Sequence, residues 1–311
     1  MSLHVGVDIG GTTCEAVLTD ADGAVIASHT VASGRGNVAV VESAVLAVEG
    51  ALTSAATAAT TATTSAATAS TVTSATSDVA SFGVGVPGAV SGGVVSHAVN
   101  LGLERLDLAS ELAARWGVRP VVENDVNAAA VGTWARMGAG ARSMAYLNLG
   151  TGLAAGIIID GRLWRGARGA AGEIGHVSID PAGPTGPDGL PGGLEAYAGG
   201  GGIVFATGSE RTAQEILSDP SQDHVRRDLY FGVASAIRLL VLTLDVERVV
   251  LGGGLTHLGE PLVEGVTATL QQWAGHSRFL ESVDLVGRFD VLEPGTPVAA
   301  VGAAMLGAGR G

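Results

Sequence analysis

The 311-residue chain is 47% apolar and 15% charged, enough apolar material for a sizeable core and, by length, for about two domains. All 17 basic residues are arginines and Cys14 is the one cysteine; this excludes lysine-dependent phosphate loops, Schiff bases and Ser–Lys dyads, disulfide frameworks and cysteine-rich zinc sites. The net charge of −13 argues against nucleic acid as a partner, since phosphates require a basic patch.

In chain order, Leu3, Val5, Val7 and Ile9 predict a short strand ending in Asp8-Ile9-Gly10-Gly11-Thr12. Asp8 interrupts this apolar run and no basic segment precedes it, so it does not read as a signal peptide. A second strand, Cys14 to Leu18, leads through an Asp22-Gly23 turn to a third at Ala24–Ile26. The same order recurs at Tyr146–Gly152, Ile157–Ile159, Asp160-Gly161 and Leu163-Trp164, an internal duplication that predicts two halves of similar topology. Between the copies, Val41, Val45 and Val48 predict a helix over Val38–Leu52. Residues Ala51 to Ser77 hold 10 Ala, 10 Thr and 5 Ser, a low-complexity insert expected as a mobile helix tail or loop. A strand at Val79–Val86, a helix at Leu106–Trp116, a strand at Val118–Glu123 and a helix from about Val126 follow. The four prolines and five glycines of Pro181–Gly193 preclude regular structure there. A long helix over 224–246, a buried strand at Val249–Leu251 running into Gly252-Gly253-Gly254, and a small-residue helix at Pro297–Leu306 complete the chain. Alternating strands and helices make it α/β. No run of about 18 uninterrupted apolar residues predicts a membrane span.

Three clusters could carry chemistry. The turns Gly10-Gly11-Thr12 and Gly150-Thr151-Gly152 can each present backbone N–H groups as an anion nest, which binds phosphate without a lysine. One such turn alone would be an ordinary hairpin; two, with a third glycine run at 252–254, predict a nucleotide site with Asp8 placed to hold Mg²⁺, directly or through water. Glu123-Asn124-Asp125-Val126-Asn127 stands at a strand end and helix start, where Asn and Asp serve as N-caps. A cap accounts for one of these polar residues, and an ionised Asp there could orient a substrate hydroxyl for phosphoryl transfer. Finally, Glu173 and Glu195 lie in glycine-rich segments with no helical face to solubilise, a setting suited to accepting hydrogen bonds from sugar hydroxyls. An isolated His176 would more often be structural.

The segments DIGGTTCEAVLTD, GVGVPGAV, ENDVNAAAVG, LNLGTGLAAGIIIDG, GAAGEIGHVSIDPAGP, GGLEAYAGG and VVLGGGL resemble, in order and across nearly the whole chain, the ROK family of repressors, open reading frames and sugar kinases. The resemblance implies two actin-like (ribonuclease H-like) α/β domains that close over a sugar. The boundaries expected are 1–123 with about 298–311 for the smaller domain and 124–297 for the larger. By matching position, Asp125 is implied as catalytic base, and Asn100, Asn124, Glu173, His176 and Glu195 as sugar ligands. Gly10, Gly11, Thr12, Thr151 and Gly152 are implied as phosphate-binding, and Gly253 and Gly254 as the adenosine segment. The activity implied is transfer of the γ-phosphoryl of ATP, with Mg²⁺, to a hexose, glucose at its 6-hydroxyl first, by a cytoplasmic homodimer. An N-acetylhexosamine or fructose kinase, or a sugar-binding protein without turnover, is the alternative. Repressor members add a winged helix ahead of the first strand, so the resemblance here is to the kinase branch.

Two departures stand out. Family members place three cysteines after the GEIGH histidine and bind a structural zinc; those positions here are Gly186, Asp188 and Gly193, so zinc is expected to be absent. Thr13 stands where a lysine is frequent and Leu103 where an aromatic is common, which bears on which sugar is taken.

Overall fold

The computed structural model describes residues 2–62, 79–138 and 140–311. They form two compact units, Met1–Ala139 with Pro297–Gly311, and Gly140–Thr296.

The first unit is built on β1 (Leu3–Ile9), β2 (Thr13–Thr19), β3 (Val25–Ala32), β4 (Val79–Val86) and β8 (Val121–Asn124), in the spatial order β3-β2-β1-β4-β8. The first three strands form an antiparallel meander, and β4 joins β1 in parallel. A second, three-stranded sheet of β5 (Ala89–Ser91), β6 (Val94–Ala98) and β7 (Leu103–Asp107) was not expected from the sequence. Its strands are three to five residues long. Helix α2 (Leu108–Trp116) therefore begins at Leu108, not Leu106, with Asp107 capping it by accepting from Ser110 N at 3.0 Å.

Helix α1 runs from Asn37 to Ala62, ten residues beyond the Leu52 expected. The first part of the Ala/Thr/Ser tract is thus helix, not loop, and residues 63–77 lie outside the described residues. Its hydroxyls satisfy themselves within the helix: Thr53, Ser54 and Thr57 donate to the carbonyls of Glu49, Gly50 and Thr53 at 2.8–2.9 Å. By length and hydropathy, 37–58 would be able to cross a membrane. Val40, Val41, Ala44, Ala47 and Val48 are instead buried in the core of this unit.

Helix α3 (Asp125–Met137) belongs to the first unit, which moves the boundary from the expected 123 to 139. The reason is the packing of α10 (Val298–Gly307), the small-residue helix, against α3, β1 and β4. A Cβ on Gly132 would stand 2.0 Å from Val298 O, and one on Gly302 only 1.8 Å from Ala128 O. Gly6 and Gly83 likewise face Ala300 O and Ala303 O at 1.9 and 1.8 Å. Backbone meets backbone along this helix, which only glycine permits.

In the second unit β9 (Ser143–Leu149), β10 (Leu153–Ile159), β11 (Arg162–Leu163), β12 (Arg248–Gly252) and β13 (Phe289–Val291) are ordered β11-β10-β9-β12-β13. This repeats the order of the first sheet strand for strand, with the same antiparallel meander and parallel neighbours. Around it lie α4 (Leu194–Ala198), α5 (Gly200–Thr207), α6 (Ala213–Ser218), α7 (Asp223–Leu244), α8 (Glu260–His276) and α9 (Arg278–Val283). Leu147, Leu149, Leu229, Val233, Ile237 and Leu251 centre its core. The expected fold class, two α/β units of like topology, is the one observed.

Candidate active site

In the first unit the parallel register β1–β4–β8 sets Asp8 beside Gly85, and Gly85 beside Glu123. Gly85 is the gap between two carboxylate residues: a Cβ there would lie 3.7 Å from Asp8 Oδ1 and 3.5 Å from Asp125 Cα. Across the hairpin, Asp8 pairs with Glu15. Burial, then the charges of Asp125 and Glu15, push the Asp8 carboxyl up to about 8. The thiol of Cys14, buried next in sequence to Glu15, is pushed up to about 12, chiefly by burial. Glu15 was missed by the sequence reading, although a four-residue turn over 10–13 already places it opposite Asp8.

The cluster Glu123–Asn127 resolves into separate duties. Asn124 is the N-cap of α3, its Oδ1 accepting from Val126 N at 3.0 Å and Asn127 N at 3.1 Å, while its Nδ2 donates to Gly88 O at 3.3 Å. That acceptor is committed to the helix, so only a remaining amide hydrogen of Asn124 suits the sugar-ligand role expected. Glu123 Oε1 accepts from Asn124 N and Asn127 Nδ2 at 2.9 and 3.0 Å. Asp125 opens the helix, where Oδ1 accepts from Val126 N at 3.0 Å and the helix dipole favours its anion.

The first glycine turn is tied down by Ser33. Gly10 N donates to Thr13 O at 2.9 Å, Ser33 N to Thr12 O at 2.9 Å, and Ser33 Oγ to Gly10 O at 2.7 Å. Gly11, Thr12 and Thr13 are exposed at its crown. Asn100, exposed in a short 3₁₀ turn, has its Cβ 3.3 Å from where one on Gly11 would be. The structure thus brings Asp8, Gly10–Thr12, Asn100 and Asp125 into one neighbourhood.

In the second unit Gly150 O accepts from Gly200 N at 2.8 Å and Thr151 O from Gly201 N at 2.7 Å. The loop carbonyls are turned into the first turn of α5, which is glycine because Gly202 has Glu195 O only 2.1 Å from its would-be Cβ. Glu195, on the short helix α4, accepts from Leu153 N at 3.0 Å through Oε2. That same oxygen would be 2.8 Å from a Cβ on Gly152. Gly175 lies against Glu195 Cβ, so the GEIGH segment, Glu195 and the second loop form one assembly. Gly253, at φ +88°, has Asn148 Oδ1 and the Leu149 carbonyl carbon each 2.6 Å from its would-be Cβ, which sets the third glycine run against the second loop. Gly254 beside it is exposed.

The proline- and glycine-rich segment is laced by bridges Ser178↔Gly193 and Thr185↔Pro191 and by Tyr197 Oη donating to Asp180 at 3.2 Å. Of the three positions where cysteines would stand, Gly186 and Gly193 carry no side chain, and Asp188 Oδ2 lies 3.0 Å from His176 Nδ1. Among the described residues no group of three or more His, Cys, Asp or Glu could hold a metal. For Mg²⁺ the requirement is looser, one or two carboxylates completed by phosphates and water, and Asp8, across Gly85 from Asp125, fits it. A divalent cation would also offset the burial and like charges that together lift Asp8.

Two sheets of one topology, each ending its first hairpin in a Gly/Thr turn, make up an actin-like fold. The ROK family profile matches residues 4–308, and the chain belongs to the ROK family. It is 28% identical to the glucokinase of Streptomyces coelicolor over 98% of both chains. Among solved structures it is similar to a ROK family glucokinase from Streptomyces griseus in complex with glucose and AMPPNP, at 27% identity and TM-score 0.76, covering 99% of this chain and all of that one. A ROK hexokinase from Thermus thermophilus matches at 26% identity and TM-score 0.73, over 98% of each chain.

Proposed function

We propose that this sugar kinase transfers the γ-phosphoryl of ATP to a hexose, glucose at the 6-hydroxyl, with Asp125 as the base. The observation that carries the reading is the carboxylate pair Asp8–Asp125, set side by side across Gly85 at the ends of β1 and β8. Asp125, oriented by the Val126 amide, accepts the proton of the attacking hydroxyl. Asp8 would hold Mg²⁺, whose charge neutralises the phosphates when it is bound. The first unit further offers the amides of Gly10, Gly11 and Thr12 to phosphate, and Asn100 and Asn124 Nδ2 to the sugar. The second offers the Thr151 and Gly152 amides to phosphate, Gly253 and Gly254 to the adenosine, and Glu173, His176 and Glu195 to sugar hydroxyls. Glucose is favoured by the glucokinase relatives that align end to end; N-acetylhexosamines and fructose are the competing acceptors. The family resemblance also supports a homodimer in the cytoplasm.

An ADP-release assay over glucose, mannose, fructose, N-acetylglucosamine and N-acetylmannosamine tests the reading. Glucose should give the highest kcat/KM, dependent on Mg²⁺. Turnover of none of the five above ATP hydrolysis would return the protein to the sugar-binding class without catalysis.

A further inference from the structure

The side chain of Asp188 bridges two partners at once. Oδ1 accepts from Leu190 N at 3.0 Å and Oδ2 lies 3.0 Å from His176 Nδ1. The turn carrying it is fixed by Gly186 N donating to Leu190 O at 3.2 Å and Gly189 N to Gly186 O at 2.9 Å. An ionised carboxylate only accepts, so the hydrogen between the two side chains resides on Nδ1. The ring nitrogen left for a ligand is Nε2, and its role is set by what Nδ1 does.

We propose that Asp188 is a positioning residue for His176: it locks the imidazole in its Nδ1–H tautomer and turns Nε2, as an acceptor, toward a sugar hydroxyl. This rests on the reading of His176 as a sugar ligand. It also gives the segment where the family pattern has a zinc a metal-free way of fixing the histidine. The acidic groups facing the ring are Asp188 from its turn, Glu195 from α4 and Glu173 from the start of the 3₁₀ turn Ile174–His176 that carries the ring itself. The Asp188 hydrogen bond is the largest influence and raises the imidazole above its ordinary value, against partial burial. Below that raised value the ring is an imidazolium, and Nε2 donates to the hydroxyl; above it, Nε2 accepts. A hydroxyl serves either way, so the sugar KM should inflect with pH and not collapse.

The test is long-range ¹H–¹⁵N spectroscopy of histidine-labelled full-length protein between pH 5 and 9, paired with steady-state kinetics. Wild type should show a neutral His176 protonated at Nδ1. In Asp188→Asn the remaining Oδ1 is needed by Leu190, which leaves the amide NH₂ facing the ring; the neutral tautomer should switch to Nε2–H and the pKa should fall. The sugar KM should then rise about tenfold, the size typical of an orienting partner, while kcat and the nucleotide KM move less than about twofold. A wild-type ring found as the Nε2–H tautomer would overturn the proposal without recourse to any variant. A tautomer and pKa that follow Asp188 while the sugar KM stays put would overturn the sugar-facing half alone, and with it the assignment of His176 as a ligand.

Discussion

The two sheets carry the same hairpin with opposite chemistry at its end. In the first, Asp8 precedes the glycine turn, sits opposite Glu15 and lies beside Gly85 on the parallel neighbour. In the second, the matching positions are Asn148, Ala154 and Gly252. Two carboxylates have become an amide and a methyl at matching strand positions, and the turn is one residue shorter, 150–152 against 10–13. Under the function proposed above, the difference divides one duplicated turn between ligands, acids in the copy proposed to hold a cation and neutral groups in the copy proposed to meet phosphate alone. Burial and like charge coincide in the first copy, where together they lift Asp8 to about 8.

The largest expected effect comes from the acidic copy. Asp125→Asn should lower kcat by about 10³-fold, within the range for loss of a general base, and leave sugar affinity by calorimetry unchanged. Asp8→Asn gives the first turn the second turn's chemistry and should cost about 10²-fold in kcat at saturating ATP. It should also stabilise the ligand-free protein at pH 8. With a folded-state pKa of about 8 against an ordinary 3.8, native Asp8 binds its proton more tightly than the unfolded chain does, so stability falls as pH rises from 4 to 8. Melting curves across that window should be flatter for the variant. Asn148→Asp runs the exchange the other way and should raise the KM for ATP about tenfold through like-charge repulsion, with the sugar KM little changed. The smallest effects concern the glycines behind the turns. Gly252→Ala, the counterpart of Gly85 with the buried Tyr146 ring 2.5 Å from its would-be Cβ, should lose about 2–3 kcal/mol in urea unfolding. Gly85→Ala meets nothing nearer than 3.3 Å and should lose less than about 1 kcal/mol. Equal losses at both would mean that the two copies are packed alike after all.

Both meanders were legible because alternation, a glycine turn and an Asp-Gly turn are local signals, and the repeat doubled each of them. Glu123–Asn127 was legible as a site but not in its parts, since which asparagine caps the helix is settled by φ and ψ at Asn124. The end of α1 was misjudged because hydroxyls that oppose helix on average here bond back to carbonyls four residues earlier. The boundary at 139 depends on α10 reaching α3 from more than 150 residues away, which no window along the chain can register. The Asp188–His176 pair has no periodicity behind it; its one trace in the sequence was an aspartate standing where a thiolate would be.

The contact between α10 and the first unit also orders events during synthesis. The core of that unit lacks a wall until residues 297–311 exist, because Gly6, Gly83 and Gly132 await the carbonyls of Val298, Ala300 and Ala303. The second unit is one uninterrupted stretch, 140–296. At about 5–20 residues per second, the ribosome leaves the earlier half unfinished for many seconds while the later half can already close. The part of the chain made first is therefore completed last, and a chaperone would find its client in residues 1–139.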